Sequence, residues 1–397
     1  MKQLGIYIHI PFCKSKCAYC DFVSFPNIKD KEKQYISNVI KEIQSQNWEE
    51  INKKYQITTI YIGGGTPSFI DAENIKKVLD IFQDKIGIDF NNIEITIEVN
   101  PGTVNAEKLR AYKNAGINRI SIGLQTANNN LLKQIGRIHT FEQFLETYKM
   151  AKEAGFDNIN VDLMLGLPSQ TIDDLKQSLE KVLELQPKHI SVYSLILEEG
   201  TPLFNMIEKG ALSLPDEEIE RQMYWYVKNK LELAGYNHYE ISNFAKKGME
   251  SKHNLNCWNQ EEYIGFGLAA HSYFQDKRYS NTTDIDKYIN YFSNQELDNL
   301  LGFYTEKQEK ISEIKELHET QTIENKKKEY MLLGLRKIAG VSISKFKERF
   351  VDNPIYLFRD ELAKLTEKEL IEIDGDFIRL TNKGLDFANI VWEEFVD

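Results

Sequence analysis

Cysteine is scarce in this chain: there are four in 397 residues, and three of them share one octapeptide, Cys13-Lys14-Ser15-Lys16-Cys17-Ala18-Tyr19-Cys20, while Cys257 lies far downstream. An odd cluster of three in a long chain without a secretory leader suits neither the pairing nor the compartment of a disulfide framework. Surplus positive charge is missing too. With 49 Lys and Arg against 60 Asp and Glu, the formal net charge is −11. That balance argues against nonspecific binding to nucleic acid or anionic lipid, and it leaves peripheral membrane association open. No apolar run approaches the length that crosses a bilayer, and Met1 to Ile10 lacks both the apolar stretch and the cleavage site of a signal peptide. The expectation is a cytoplasmic protein in which thiols stay reduced.

What the chain does have is three thiols in one loop directly after the strand-like run Leu4 to Ile10. Three thiolates can hold three irons of a cubane cluster and leave the fourth iron open to a small molecule. Zinc is the competing reading, with His9 as a fourth ligand. His9 sits inside the strand, so the pleat and not the loop fixes its direction.

Strand-like runs recur at Leu4 to Ile10, Ile57 to Gly63, Ile93 to Val99, Asn118 to Gln125, Asn158 to Met164 and His189 to Leu197, with amphipathic helical stretches between them. Six β-then-α units predict a parallel sheet covered by helices, with strands buried on both faces. A doubly wound sheet would show GxGxxG after its first strand, and that turn holds cysteines instead. The expected fold class is α/β: an incomplete parallel (β/α)6 TIM-like barrel, with a smaller C-terminal α+β winged-helix-like domain built on two short strands around Asp374-Gly375-Asp376. The expected division is 1–240 for the barrel, 241–302 for a connecting segment and 303–397 for the C-terminal domain.

The strand ends carry polar and glycine-rich positions, where barrels collect reactive groups. Gly63-Gly64-Gly65-Thr66-Pro67 lets backbone groups approach a ligand closely. Glu98 and Gln125 close two further strands, Arg137 could clamp a carboxylate through its planar fork, and Asp162 is a polar group in an apolar strand. His253 and Cys257 are four apart, so a helix would place imidazole and thiol on one face.

The CxxxCxxC spacing, with the aromatic Tyr19 before its third cysteine, resembles the radical S-adenosylmethionine (SAM) superfamily. The resemblance implies a [4Fe-4S] cluster on Cys13, Cys17 and Cys20, with SAM chelating the open iron and cleaved by an electron from the cluster. Tyr7-Ile8-His9-Ile10-Pro11-Phe12-Cys13, the GGGTP turn, Ile122-Gly123-Leu124-Gln125-Thr126 and Asp162-Leu163-Met164-Leu165-Gly166-Leu167-Pro168 resemble the coproporphyrinogen oxidase-like branch. By that resemblance Tyr7, Tyr19, Gly64, Gly65, Thr66 and Glu98 contact the cluster-bound SAM, and Gln125, Arg137 and Asp162 match contacts to a second SAM in the oxidase.

The oxidase carries a fourth cysteine two residues after the third, where this chain has Asp21-Phe22. At that position the chain resembles the haem chaperone family HemW, whose HNxxYW signature is nearly repeated in His253-Asn254-Leu255-Asn256-Cys257-Trp258. The resemblance implies haem as cargo, with His253 and Cys257 as candidate ligands, a haem-acceptor protein and an electron donor as partners, and no nucleic acid. The alternatives are an oxygen-independent coproporphyrinogen III oxidase and, more remotely, a zinc-dependent regulator that places its C-terminal module on nucleic acid.

Overall fold

The computed structural model describes residues 1–294 and 313–396. The expected boundary at 302/303 and residues 303–312 of the charged C-terminal stretch lie outside the described residues. The strands are β1 (Lys2–Ile10), β2 (Phe12–Cys13), β3 (Phe25–Pro26), β4 (Tyr55–Gly64), β5 (Glu94–Val99), β6 (Arg119–Gln125), β7 (Asn158–Leu165) and β8 (His189–Ser194). They continue with β9 (Asn237–Glu240), β10 (Asn243–Ala245), β11 (Glu262–Phe266), β12 (His271–Phe274), β13 (Lys277–Asn281), β14 (Lys315–Thr320), β15 (Val341–Ser342), β16 (Ile371–Asp374) and β17 (Phe377–Leu380).

Twelve of these form one sheet in the order β14-β13-β12-β11-β1-β4-β5-β6-β7-β8-β10-β9. The six expected strands, β1 and β4 to β8, are consecutive parallel neighbours. Because β1 and β8 do not pair, the barrel stays incomplete. A seventh parallel strand, β11, joins the free side of β1 with Gly5 opposite Tyr263 and Tyr7 opposite Gly265. Antiparallel strands extend both ends of the sheet.

The strands are not apolar on both faces. In β1 the side chains of Leu4, Ile6, Ile8 and Ile10 are fully buried in the core under the helices, and the alternate positions point the other way, as the two-residue pleat requires. That inner face carries Thr59, Tyr61, Glu98, Arg119, Ser121, Asn160, Asp162 and His189. Both faces are buried, as expected, with Thr59, Ser121, Asn160 and His189 at most 4% exposed, but only the outer face is apolar, because the lumen of an open barrel lines a cavity and needs polar walls. The outer helices are set by their caps, with Thr140 and Thr171 forming capping boxes at the starts of Phe141–Glu153 and Ile172–Glu184.

The smaller α+β domain has its own core around Met331, Leu335, Phe346, Leu365 and Ile378. Its sheet runs β15-β17-β16, next to helices Ile323–Gly334, Ile343–Phe350 and Arg359–Glu367. Among the described residues, no helix is long and apolar enough to cross a membrane.

Candidate functional site

The cysteine loop leaves β1 through Pro11 and is pinned at several points. β2 and β3 pair in parallel, with Phe12 opposite Phe25, and Phe25 N donates to Pro11 O at 2.8 Å. Ala18 N donates to Ile135 O at 3.0 Å, and Ala18 O accepts from Leu203 N at 2.8 Å. Below the loop, His9 Nε2 meets Val23 O at 2.8 Å and Nδ1 meets Tyr7 Oη at 3.0 Å. The pleat directs His9 as expected, and that direction carries it under the loop, with both ring nitrogens engaged. Burial lowers its pKa to about 4, so the strut is a neutral imidazole.

Two glycines are obligatory here. A Cβ on Gly65 would lie 2.9 Å from Cys13 Sγ, and one on Gly64, whose φ is +113°, would lie 2.6 Å from His9 Cε1. Gly65 N donates to Ile10 O at 2.9 Å and Thr66 N to Phe12 O at 2.8 Å, so the GGGTP turn locks the start of the cysteine loop to the end of β4.

Above the lumen opens a cavity of about 450 Å³, lined by Cys13, Cys17, Cys20, Tyr19, Gly64, Gly65, Thr66, Glu98, Gln125, Arg137 and Asp162. The structure therefore brings these expected residues together. Tyr7 stands behind the wall: its ring packs against that of Tyr61, with centroids 6.3 Å apart. Phe22 and Ile196 are 58% and 69% exposed at the rim.

Glu98 accepts from Tyr61 Oη at 2.8 Å and from Gly64 N at 3.1 Å. Burial, with the nearby Asp162 charge and against the Tyr61 hydrogen bond, moves its pKa to about 7. Asp162 accepts from Asn160 Nδ2 at 2.7 Å and Ser121 Oγ at 3.1 Å, and burial raises its pKa. Gln125 has a φ of +74° next to an irregularity in the β6–β7 pairing, a strained conformation of the kind that concentrates at ligand sites. The Arg137 fork is already engaged. Nη2 donates to Gly123 O at 2.6 Å and Asn100 Oδ1 at 2.8 Å, and Nη1 reaches Cys17 Sγ at 3.6 Å.

Sequence reasoning missed Asn100, Tyr61 and the support from His9. Asn100 follows Glu98 by two residues, on the same strand-end segment, and that spacing was the available signal.

His253 and Cys257 are not in this cavity. They lie on the short helix Lys252–Trp258 at the amino-terminal end of the barrel, where Glu94 accepts from Lys252 N and His253 N at 3.1 and 3.2 Å. His253 is 8% exposed. Its Nδ1 lies 2.8 Å from Thr59 Oγ1, and its ring stacks on Tyr61 with centroids 5.1 Å apart. Burial lowers its pKa to about 4 and raises that of Cys257 to about 11.

The sequence matches the radical SAM superfamily over residues 7–182 and the HemN C-terminal domain over residues 322–387. It is 40% identical to the heme chaperone HemW of Bacillus subtilis over 392 residues, 98% of each chain. To the heme chaperone HemW of Lactococcus lactis it is 38% identical over 395 residues, 100% of this chain and 98% of that one. The chain belongs to the HemW family of radical SAM proteins. The coproporphyrinogen III oxidase HemN from Escherichia coli shares the fold, with a TM-score of 0.79 over 99% of this chain and 90% of that one, at 21% identity.

Radical SAM membership implies a [4Fe-4S] cluster and SAM, and the HemW-family site fits both. Among the described residues, no three Cys, His, Asp or Glu side chains converge closely enough to hold a single metal ion. Cys13, Cys17 and Cys20 all line the one cavity, and a cubane takes each thiolate on a different iron. Thr66 Oγ1 donates to Cys13 Sγ at 3.5 Å and Arg137 to Cys17 Sγ, which are the hydrogen bonds to sulfur that tune such clusters.

Proposed function

We propose that this chain is a haem chaperone that holds a [4Fe-4S] cluster on Cys13, Cys17 and Cys20, binds SAM beside it, and carries haem to an acceptor protein. The observation that carries this reading is identity along essentially the full length with relatives named as heme chaperones. The open barrel and its cysteine-lined cavity support it.

When bound, the cluster supplies an electron to the sulfonium of SAM. The chain's own residues do the rest of the placing. The backbone of Gly64 and Gly65 and the Glu98 carboxylate receive the ammonium or ribose hydroxyls, Tyr19 forms a wall, and Arg137 and Thr66 steady the sulfurs. Gln125 and Asp162 face the remaining volume. An electron-donor protein is needed to reduce the cluster.

His253 and Cys257 are the proposed haem ligands, imidazole and thiol being the side chains that ligate haem iron. With Nδ1 on Thr59 and the ring under Tyr61, His253 reaches iron once its helix moves outward. The residues up to 240 hold the cofactors, 241–294 carry the cargo ligands, and 322–396 form the module beside them.

The test is haem titration of anaerobically reconstituted protein. A stoichiometric Soret shift that changes in His253→Ala and Cys257→Ala is expected. Its absence in wild type removes the carrier reading, and a shift unaffected by either substitution moves the ligand elsewhere. Carbon dioxide release from coproporphyrinogen III by the same preparation would favour the oxidase reading instead.

A further inference from the structure

The helix that carries His253 and Cys257 is held at both ends. At its inner end His253 is stacked under Tyr61 and bonded to Thr59. At its outer end the ring of Trp258 packs on the Arg336 guanidinium, 4.3 Å from centroid to Cζ, and the same guanidinium packs on the ring of Trp392 at 4.7 Å. Arg336 and Trp392 belong to the C-terminal domain, so this cation–ring cluster spans the joint between that domain and the candidate cargo helix. Nearby contacts fix the same joint: Lys337 Nζ donates to Asn259 Oδ1 at 2.5 Å, and Arg349 donates to Asn259 O and Gln260 O at 3.1 and 2.9 Å.

We propose that Arg336 is a positioning residue that clamps the His253–Cys257 helix in its buried state, so that the C-terminal domain controls when those two side chains meet haem. The cargo in this inference rests on the haem-chaperone reading; the clamp does not. Two features make the joint releasable. A guanidinium packed on two indoles is attracted by both rings yet is not covalently held. Trp258 Nε1, Arg336 Nε and Trp392 Nε1 are also all buried without an acceptor among the described residues. Opening to solvent lets each of the three donors find one, which offsets part of the lost stacking. The closed state also explains why a residue proposed to ligate iron is buried, neutral and hydrogen-bonded: it is the stored form of the ligand.

The experiment uses the full-length, cluster-reconstituted protein and reads two quantities, amide hydrogen exchange over residues 252–260 and the rate constant of haem association. In Arg336→Ala both rise by about tenfold, the factor expected for losing one or two such stacking contacts. Arg336→Lys, which keeps a cation against the rings, restores most of the wild-type exchange. Trp392→Leu removes the other ring from Arg336 at a position within the C-terminal domain and gives the same pair of increases. Iron and sulfide content stays at wild-type level in all three.

If exchange over 252–260 is unchanged in both Arg336→Ala and Trp392→Leu, the clamp is overturned. If exchange rises and haem association does not, the control of cargo is overturned. If exchange rises while haem binds to no variant and not to wild type, the carrier reading falls and the clamp stands.

Discussion

Asn100 and Arg137 together join two of the three cysteine sulfurs. Arg137 Nη2 donates to Asn100 Oδ1 at 2.8 Å while its Nη1 reaches Cys17 Sγ, and Asn100 Nδ2 donates to Thr66 Oγ1 at 2.9 Å while Thr66 reaches Cys13 Sγ. The path links the ends of β4 and β5 to the turn after helix Asn129–Gln134, and its centre is an amide that can donate to one neighbour and accept from the other.

Asn100→Ala therefore cuts both halves of the path and leaves the Arg137 Nη2 bond to Gly123 O in place. The expected cost is about 1–3 kcal/mol in folding stability, that of leaving buried partners unpaired, read from thermal or denaturant unfolding of the reconstituted protein. Iron and sulfide are also lost faster in air. Asn100→Asp keeps the acceptor and loses the donor, so it should retain more of the cluster than alanine does.

Gly65→Ala should abolish cluster assembly, because the added methyl would sit 2.9 Å from Cys13 Sγ and 3.0 Å from Phe12 O. Gly102→Ala is the matched control. Its φ is +78° and nothing lies within 4 Å of the added carbon, so the cost is backbone strain alone, about 1 kcal/mol, with iron content unchanged. Comparing iron and sulfide per chain in the two variants separates steric conflict from loss of glycine freedom.

The six parallel strands and the cysteine loop were legible because each βα unit carries its own local periodicity and cap. The convergence of Glu98 and Gln125 was legible because position at a strand end is a topological property, whereas Arg137 reaches the cavity from the turn after helix Asn129–Gln134 and Asp162 from within β7. The seventh strand was not: β11 pairs with β1 across more than two hundred residues, and Glu262–Phe266 is too short to announce its partner. Nor could the sequence show that Tyr61 separates the cavity from His253, or that Trp258 packs on Arg336, since each contact joins elements whose spacing only the folded chain sets. The HNxxCW stretch was readable as a motif, but its burial was not.

The Glu98 carboxyl makes SAM binding dependent on pH. Its pKa is about 7, raised chiefly by burial, so in the empty site the carboxylate that would receive an ammonium or hydroxyl is increasingly protonated below neutrality. SAM affinity should fall as pH drops from 8 to 6, approaching about tenfold per pH unit at the acid end. It should be nearly flat across that range in Glu98→Gln, at a lower level throughout. Titration of the cluster's paramagnetic signal with SAM at several pH values measures both. For stability the sign is opposite. The folded form holds this proton more tightly than the unfolded chain, so without ligand the contribution of Glu98 to stability falls as pH rises from about 4.5 to 7, and Glu98→Gln removes that slope.

Thr59→Val tests the inner end of the cargo helix. The threonine hydroxyl, 2.8 Å from His253 Nδ1, is the one hydrogen-bonding partner described for that ring, and valine preserves shape while removing it. The buried imidazole is then left unpaired, at a cost of about 1–3 kcal/mol. Because burial already holds its pKa near 4, it cannot recover that cost by taking a proton at neutral pH. The remaining route is outward, toward water or iron. Thr59→Val should therefore lower the unfolding midpoint and at the same time raise haem affinity, whereas a substitution that merely loosened the barrel would lower both. Denaturant unfolding and Soret titration on one preparation distinguish the two outcomes. If affinity falls together with stability, His253 does not gain access to haem by leaving Thr59.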